Sequence, residues 1–249
     1  AVIAFYMDPR NWLTENRIFM FENLGYIEEK ETLYPELIKS IFGSGKLADD
    51  KYTIPMFNSG KNLKMSPLAI ATRIRLEVGA NGSASTSGEA FTWDGKTYSG
   101  YYNFFNIGAY EDTINGIKVS SVKRGLLYAA KLAGVRSSGE LWDNPETAIT
   151  EGSNTLAKKY VTQGQDTLYY QKFNVSPDST SSHFTHQYMT NLGAPWNEGN
   201  TMQSAYKNSS LINSKFVFVI PVYKNMPDTV YQPVNKSDNS RLSSVTIAD

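Results

Sequence analysis

Glu77 is the residue whose type and position best suit acid–base chemistry. It falls in the last turn of a helix predicted over residues 66–78, with Ser66 as N-cap, Pro67 in the first turn and Gly79 as the stop. The negative end of the helix dipole and partial burial both favour the protonated carboxylic acid, which is the form that donates a proton near neutral pH. A solvated glutamate at a helix end is the alternative that the spacing leaves open.

The segment that follows Glu77 is typical of a sugar-binding region. Residues 81–88 are small and polar, as in a loop, and residues 91–98 predict a short hairpin around an Asp-Gly turn. Aromatic rings then alternate with amides, and rings stack on pyranose faces while amides bind hydroxyl and N-acetyl groups. The same rings would also suit a small aromatic core beneath a β-flap, and the two interpretations are compatible. The candidate substrate-binding residues here are Tyr102, Asn103, Phe104, Phe105, Asn106 and Tyr110.

Other chemistries fit the sequence less well. The two histidines, His183 and His186, lack the acidic partner pattern of a zinc protease, so no metal site and no cofactor are predicted. The absence of cysteine excludes thiol catalysis and disulfides. Residues 43–46 superficially suggest a phosphate loop, but Ser40 and Leu47 stand where that motif requires Gly and Ser or Thr. Carboxylate chemistry is what remains.

Glycoside hydrolysis normally uses two carboxyl groups, one as the acid and one as the base or nucleophile. Three residues are candidates for the second role. Glu89 lies in the small polar loop, where we do not expect a fixed catalytic group. Glu111 directly follows the aromatic segment, and Asp112, one residue further on a strand, would point to the opposite face. We favour Glu111, and Asp112 stays open.

Hydrophobic periodicity predicts a helix-rich chain with a β-insert. The predicted helices cover residues 14–25, 32–42, 66–78, 119–133, 145–163 and 201–211. Residues 168–173 are predicted to be extended and residues 216–220 to be a buried apolar run. We expect a β-lobe over about residues 80–116, hinged at Gly79 and Gly116, and an extended arm with a polar tail over residues 221–249.

Composition narrows the class of protein further. The 249 residues carry 24 basic and 24 acidic side chains, so nothing favours nucleic acid as a partner. No apolar run approaches the length of a membrane span. The start of the chain shows no signal-peptide pattern, and the lack of cysteine suits an exported Gram-positive protein.

Several segments, in chain order, resemble the bacterial glucosaminidase domains of glycoside hydrolase family 73, most of all those of clostridial and other Gram-positive autolysins. Each segment is weakly specific alone, whereas the ordered set is specific. The resemblance rests on the Asp-Pro-Arg-Asn entry segment at 7–13, the helix at 71–79 that carries the family's catalytic glutamate, the N-x-F-x-I-G-A segment at 103–109, and the later segments 164–169 and 186–191.

The resemblance implies a mainly α (α+β) fold, with a lysozyme-like helical body and a small β-lobe over an active-site cleft. The catalytic domain would cover residues 1–220. Glu77 would be the catalytic acid and Glu111 would take about the place of the family's second glutamate. Gln187 and Tyr188 would line the cleft and bind substrate.

The resemblance also implies an activity, that of an endo-β-N-acetylglucosaminidase that cuts peptidoglycan glycan strands after N-acetylglucosamine. Such an enzyme would be a secreted monomer acting at the cell wall, with wall-binding modules outside this chain. Two alternatives stay open: a muramidase or lytic transglycosylase on the same scaffold, and a non-catalytic glycan-binding module.

Overall fold

The computed structural model describes residues 2–188, 190–213 and 215–232. Within these residues, helices dominate and two small antiparallel hairpins complete the secondary structure, so the predicted mainly α class with a β-insert is confirmed. The helices are α1 (Val2–Met7), α2 (Tyr34–Phe42), α3 (Asp50–Leu63), α4 (Pro67–Val78), α5 (Ser121–Ala129), α6 (Pro145–Lys159), α7 (Leu168–Phe173) and α8 (Ala194–Asn208). The strands are β1 (Phe91–Trp93), β2 (Lys96–Tyr98), β3 (Asp112–Ile114) and β4 (Ile117–Val119).

The chain divides into two compact units. One unit is built from described residues of the ranges 2–24, 160–203 and 213–232, and the other from residues 25–159 and 204–212. We call them the terminal unit and the central unit. No helix in the described part of the chain is both long and apolar enough to cross a membrane.

Helix α4 forms where the sequence predicts it. Ser66 precedes it and Pro67 occupies its first turn, where the missing N–H costs no hydrogen bond. The side chains of Leu68 and Ile74 are completely buried. Gly79 ends the helix with a φ of +75°, a conformation that only glycine adopts freely. The last turn of α4 therefore places Glu77 at a fixed point of the central unit.

Helix α3, which the sequence analysis missed, packs against α2, α4 and α6 in the central unit. Pro55 and Gly60 lie inside it, and both residues disfavour a helix. Asp49 caps its first turn by accepting from the Lys51 N–H at 2.8 Å. A Cβ at Gly60 would lie 2.6 Å from Pro67 Cγ, so the close approach of α4 explains the glycine. Tertiary packing overrides local propensity here.

Both hairpins turn through two residues with positive φ, as type I′ turns require. Asp94 and Gly95 connect β1 to β2, which confirms the predicted hairpin. Asn115 and Gly116 connect β3 to β4, a hairpin that the sequence analysis missed. Gly116 is therefore a turn residue, and its role as a hinge stays a prediction. The β-rich segment continues to Val119, past the predicted boundary at 116.

The two hairpins share one apolar cluster with α5. Its buried members are Trp93 from β1, Val119 from β4 and Leu127 from α5. Because Val119 pairs in β4, α5 begins at Ser121, two residues after the predicted start of that helix. The β-segment is thus anchored on α5 within the central unit.

Three further predictions need correction. Residues 14–25 contain only a short 3-10 helix at Ile18–Phe21, and residues 168–173 form α7, whose N-cap Thr167 accepts from the Tyr170 N–H. Residues 216–220 are not a buried run, since Val217 and Ile220 are exposed. Aromatic and β-branched residues misled the last two predictions, because propensity alone cannot show which backbone conformation the tertiary contacts stabilise.

The other helix predictions hold with shifted ends. Helix α2 starts at Tyr34, and α6 stops at Lys159 and is followed by a 3-10 turn at Val161–Gln163. Helix α8 begins at Ala194, seven residues before the predicted start at 201 (201 − 194 = 7).

The terminal unit is organised around an aromatic core. Its buried members are Trp12, Met20, Phe21, Tyr169, Tyr170 and Phe173. The entry segment lies here: Asp8 pairs with Arg10 at 2.7 Å, and Arg10 donates to the Pro227 carbonyl at 2.9 Å. Asn11 donates to the Tyr231 carbonyl at 2.8 Å. This segment thus holds residues 221–232, which contain no helix or strand, whereas the predicted tail over 233–249 lies outside the described residues.

Candidate active site

Glu77 is half-buried, and the amide of Asn106 holds it at two points. Asn106 Nδ2 donates to the main-chain oxygen of Glu77 at 2.9 Å and to Glu77 Oε2 at 3.3 Å. The first contact occupies a carbonyl of the last helical turn, and the second orients the carboxylate. The predicted acid and the predicted sugar-binding segment therefore meet in the structure.

Asn106 is itself held in an unusual conformation. Its φ is +48°, a left-handed value that asparagine tolerates better than most residues. The buried hydroxyl of Ser85 lies 3.0 Å from the Asn103 carbonyl and 3.3 Å from Asn106 Oδ1. The Asn103 N–H donates back to the Ser85 carbonyl at 2.7 Å. A chain of contacts thus runs from Ser85 through Asn106 to Glu77.

Ser85 is a residue that the sequence analysis passed over as part of a small polar loop. It lies in a 3-10 turn at Ala84–Thr86, and a reciprocal capping box between Ser83 and Thr86 fixes that turn. The Ser-x-x-Thr spacing departs from the usual Ser/Thr-x-x-Glu/Gln capping box, so the sequence carried only a weak signal for this turn.

Three of the predicted substrate-binding residues are buried and support the site from inside. Asn103 is wholly buried, and its Nδ2 donates to the carbonyls of Ile107 (2.9 Å) and Gly125 (3.1 Å) while its Oδ1 accepts from the Ile107 N–H. Phe104 is also wholly buried, and the Phe105 ring packs where a Cβ on Gly152 would clash. Burial of these three speaks against direct substrate contact, because an aromatic-amide segment can fill a core equally well.

Two of the predicted substrate-binding aromatic residues do reach the surface. Tyr102 is half-buried and its ring stacks on Phe104 at 6.4 Å, with an angle of 8° between the ring planes. Tyr110 is 54% exposed, and the guanidinium carbon of Arg124 lies 3.6 Å from its ring centroid. These two rings are available to a sugar at the surface of the central unit.

The neighbouring carboxylates Glu111 and Asp112 differ in their surroundings. Asp112 Oδ2 accepts from Arg124 Nε at 2.7 Å, and Oδ1 accepts from the Thr113 N–H at 2.8 Å. The hydrogen bond from Arg124, reinforced by the one from Thr113, holds the pKa of Asp112 below its usual value. Glu111 is exposed and makes no hydrogen bond or ion pair with the described residues.

Two open depressions lie on the central unit, and Glu111 and Asp112 line one of them. The larger, of about 600 Å³, is lined by Glu111, Asp112, Thr113, Lys118, Val119 and Ser120. The smaller, of about 290 Å³, is formed mainly by residues 46–52 and 81–89. Glu89 lies on the rim of the smaller depression and is exposed.

Gln187 and Tyr188 belong to the terminal unit. The Tyr188 N–H donates to the Gln171 carbonyl at 2.8 Å, and the Tyr188 ring meets Tyr160 edge-on at 5.5 Å. His186 packs on the same Tyr160 ring at 5.2 Å, so it helps to order the loop that carries Tyr188. Gln187 is exposed. No group of three or more His, Asp or Glu side chains in the described ranges is placed to hold a metal ion.

The central unit combines a carboxylic acid in the last turn of a buried helix, an amide-bearing aromatic segment against it and two β-hairpins, as in a lysozyme-like fold. Comparison with known proteins agrees with this class. No family model matches the chain. A β-N-acetylglucosaminidase of Bacillus subtilis is 26% identical over 226 residues, which are 89% of this chain but only 22% of that relative's length.

Solved structures show the same fold. Staphylococcus aureus autolysin E superposes with a TM-score of 0.58 at 22% identity, covering 89% of this chain and 81% of that one. A catalytic mutant of the same autolysin, in complex with the disaccharide NAG-NAM, superposes with a TM-score of 0.56 at 23% identity and covers 83% and 79% of the two chains. The resemblance to glucosaminidases that the motifs indicate is thereby confirmed, and the fold is the lysozyme-like glucosaminidase fold.

Proposed function

We propose that this chain is an endo-β-N-acetylglucosaminidase that hydrolyses the β-1,4 bond after N-acetylglucosamine in peptidoglycan glycan strands. The observation that carries the proposal is the double contact of Asn106 with Glu77, which fixes a half-buried carboxyl group against the aromatic segment. The named relatives support the same activity, because they are a β-N-acetylglucosaminidase and an autolysin solved with a NAG-NAM disaccharide.

In this proposal Glu77 protonates the glycosidic oxygen as it leaves the anomeric carbon. Glu111 is the second carboxylate and removes a proton from the attacking water. An inverting route of this kind needs a gap of roughly 6.5–9.5 Å between the two carboxyl groups when substrate is bound. Asp112 is a poor base because its carboxylate is already engaged by Arg124 and Thr113.

The substrate contacts follow from exposure. In the central unit Tyr102 and Tyr110 offer ring faces to the sugar. Gln187 and Tyr188 are the candidate substrate-binding residues of the terminal unit. The sugar backbone of the glycan strand carries no charge. Binding it therefore requires no net charge on the protein, whose basic and acidic side chains balance. The protein would act outside the cell, at the wall, as a monomer, with wall-binding modules in other parts of the full-length protein.

Reducing-end analysis tests this proposal directly. Purified peptidoglycan is digested, new reducing ends are marked with borohydride, and the fragments are identified by mass spectrometry, with Glu77→Gln as the inactive control. Fragments that end in reduced N-acetylglucosamine are the expected result. Reduced N-acetylmuramic acid would identify a muramidase and anhydro ends a lytic transglycosylase, while retention on the wall without any product would identify a binding module.

A further inference from the structure

Arg124 is a buried cation that the proposed mechanism does not use. It lies in the first half of α5 and is 8% exposed. Removing a guanidinium from water is costly unless partners compensate its charge and its N–H groups. Within the described part of the chain, the partners of its side chain all come from one short segment, residues 108–112.

Three contacts connect Arg124 to that segment. Arg124 Nη1 donates to the Gly108 carbonyl at 2.5 Å, and Nε donates to Asp112 Oδ2 at 2.7 Å. Between these anchors, the guanidinium stacks on the Tyr110 ring at 3.6 Å. One planar side chain therefore holds alternate residues of the segment, and a lysine could not reproduce the fork and the stacked face together.

The backbone around these contacts is shaped for close approach. Gly108 has a φ of +73°, and a Cβ there would lie 2.7 Å from the Tyr128 ring and 3.3 Å from Arg124 Nη1. A Cβ on Gly125, the residue after Arg124, would lie 3.1 Å from Asn103 Nδ2. Helix α5 thus lies directly against the aromatic segment, and Arg124 extends that contact to Asp112.

We propose that Arg124 is the positioning residue for this end of the site: by clamping Gly108, Tyr110 and Asp112, it directs the intervening Glu111 outward and presents one face of Tyr110 to the sugar. The inference rests on the proposed function. Residues 110 and 112 bracket Glu111, so its backbone is held on both sides although its own side chain makes no hydrogen bond or ion pair with the described residues. The clamp also occupies Asp112, which leaves Glu111 as the carboxylate of this pair that can accept a proton from water.

A double-mutant cycle between Arg124→Gln and Glu111→Gln tests the positioning role. Arg124→Gln alone should lower kcat by about 10- to 100-fold, the scale of a misplaced catalytic group. In the Glu111→Gln background the same change should lower kcat by no more than about twofold, because the group that it positions is already disabled. Additive losses in kcat, or a Glu111→Gln variant with wild-type kcat, would overturn the inference.

Measurements of KM test the second half of the proposal, the presentation of the Tyr110 ring to the sugar. Arg124→Gln should raise KM through Tyr110, and this increase should persist with Glu111→Gln but disappear with Tyr110→Ala. A KM increase that is unchanged in the Tyr110→Ala background would overturn the assignment to Tyr110. If Arg124→Gln does not fold, Arg124→Lys replaces it in both cycles with the same criteria.

Arg136→Gln is the matched control. Arg136 is half-buried, stacks on Tyr128 and Trp142 at 4.9 Å each, and donates to main-chain carbonyls of residues 128, 129 and 140. We expect it to lower the melting temperature without the kcat pattern of Arg124→Gln. Release of fragments with reducing-end N-acetylglucosamine by the wild-type enzyme tests the proposed function separately. If that test succeeds and the losses in kcat are additive, only the role of Arg124 is contradicted.

Discussion

The two ends of the candidate site are constructed in opposite ways. Glu77 is half-buried, and a side-chain amide contacts it directly, with the buried Ser85 behind that amide. Glu111 is exposed, and only its neighbours are held, through Arg124. The first carboxylate is fixed by its own contacts and the second by the contacts of the chain on either side of it.

This difference suits the two proposed roles. A general acid must keep its proton and point at one oxygen atom, so fixed surroundings reduce the reorganisation that the reaction requires. A general base that activates water must stay in contact with solvent and accept the proton at the sugar's other face. The comparison therefore predicts that changes near Glu77 act on the carboxyl group itself, while changes near Glu111 act through its backbone.

The largest effect is expected at the acid. Glu77→Gln preserves size and the contact with Asn106 but removes the transferable proton, so kcat should fall by about 10⁴-fold, the upper end for loss of an acid catalyst. Release of reducing ends from purified walls measures this loss, and an unchanged thermal melt shows that the fold is intact. Activity near wild type in a folded variant would contradict the assignment of Glu77.

Glu111→Gln should have the next largest effect. Loss of the base in an inverting route should lower kcat by about 10²- to 10³-fold. Asp112→Asn is the matched control, because it keeps an oxygen that accepts from Arg124 and should cost much less activity. A mild effect of Glu111→Gln together with a strong one of Tyr188→Phe would favour catalysis by the substrate's N-acetyl group. A severe loss in Asp112→Asn with a silent Glu111→Gln would move the base by one residue.

Much of the acid's surroundings could be predicted from the sequence. Ser66, Pro67 and Gly79 are local signals that act within one helix, and they place Glu77 in its last turn as expected. The Asp-Gly turn of the first hairpin is equally local, because positive φ at both positions is a property of those two residues. Features that depend on short stretches of chain were therefore predicted well.

Features that depend on tertiary contacts were predicted poorly. Asn103 and Phe104 look like ligand-binding residues by type, but the approach of α5 and α3 buries them. Nothing near Arg124 in the sequence connects it to residues 108–112, since that contact forms only when α5 packs on the segment. Helix α3 was missed for the same reason, because Pro55 and Gly60 disfavour a helix that packing nevertheless stabilises.

Asn106→Gly tests the direct contact on the acid's side. It removes the amide and suits the left-handed φ of +48°, so it isolates the loss of the hydrogen bonds to Glu77 from backbone strain. Glu77 becomes a carboxylate as it transfers its proton, and a hydrogen bond to a charged group contributes about 1.5–3 kcal/mol, so kcat should fall by roughly 10- to 100-fold. Asn106→Ala should reduce kcat equally and also lower the melting temperature. Wild-type kcat in Asn106→Gly would show that Glu77 does not depend on this amide.

Ser85→Ala should have the smallest effect, because Ser85 acts on the acid only through Asn106. Its buried hydroxyl contacts the Asn103 carbonyl and Asn106 Oδ1, so its loss should cost about 1 kcal/mol of stability and lower kcat a few-fold. Ser87→Ala is the control, since Ser87 Oγ donates to the Ala84 carbonyl within the same loop. Denaturant unfolding and kcat are measured for both variants, singly and with Asn106→Gly. If Ser85 acts through Asn106, its effect on kcat should vanish in the Asn106→Gly background. Equal losses of kcat in both backgrounds would show that Ser85 does not act on Glu77 through Asn106.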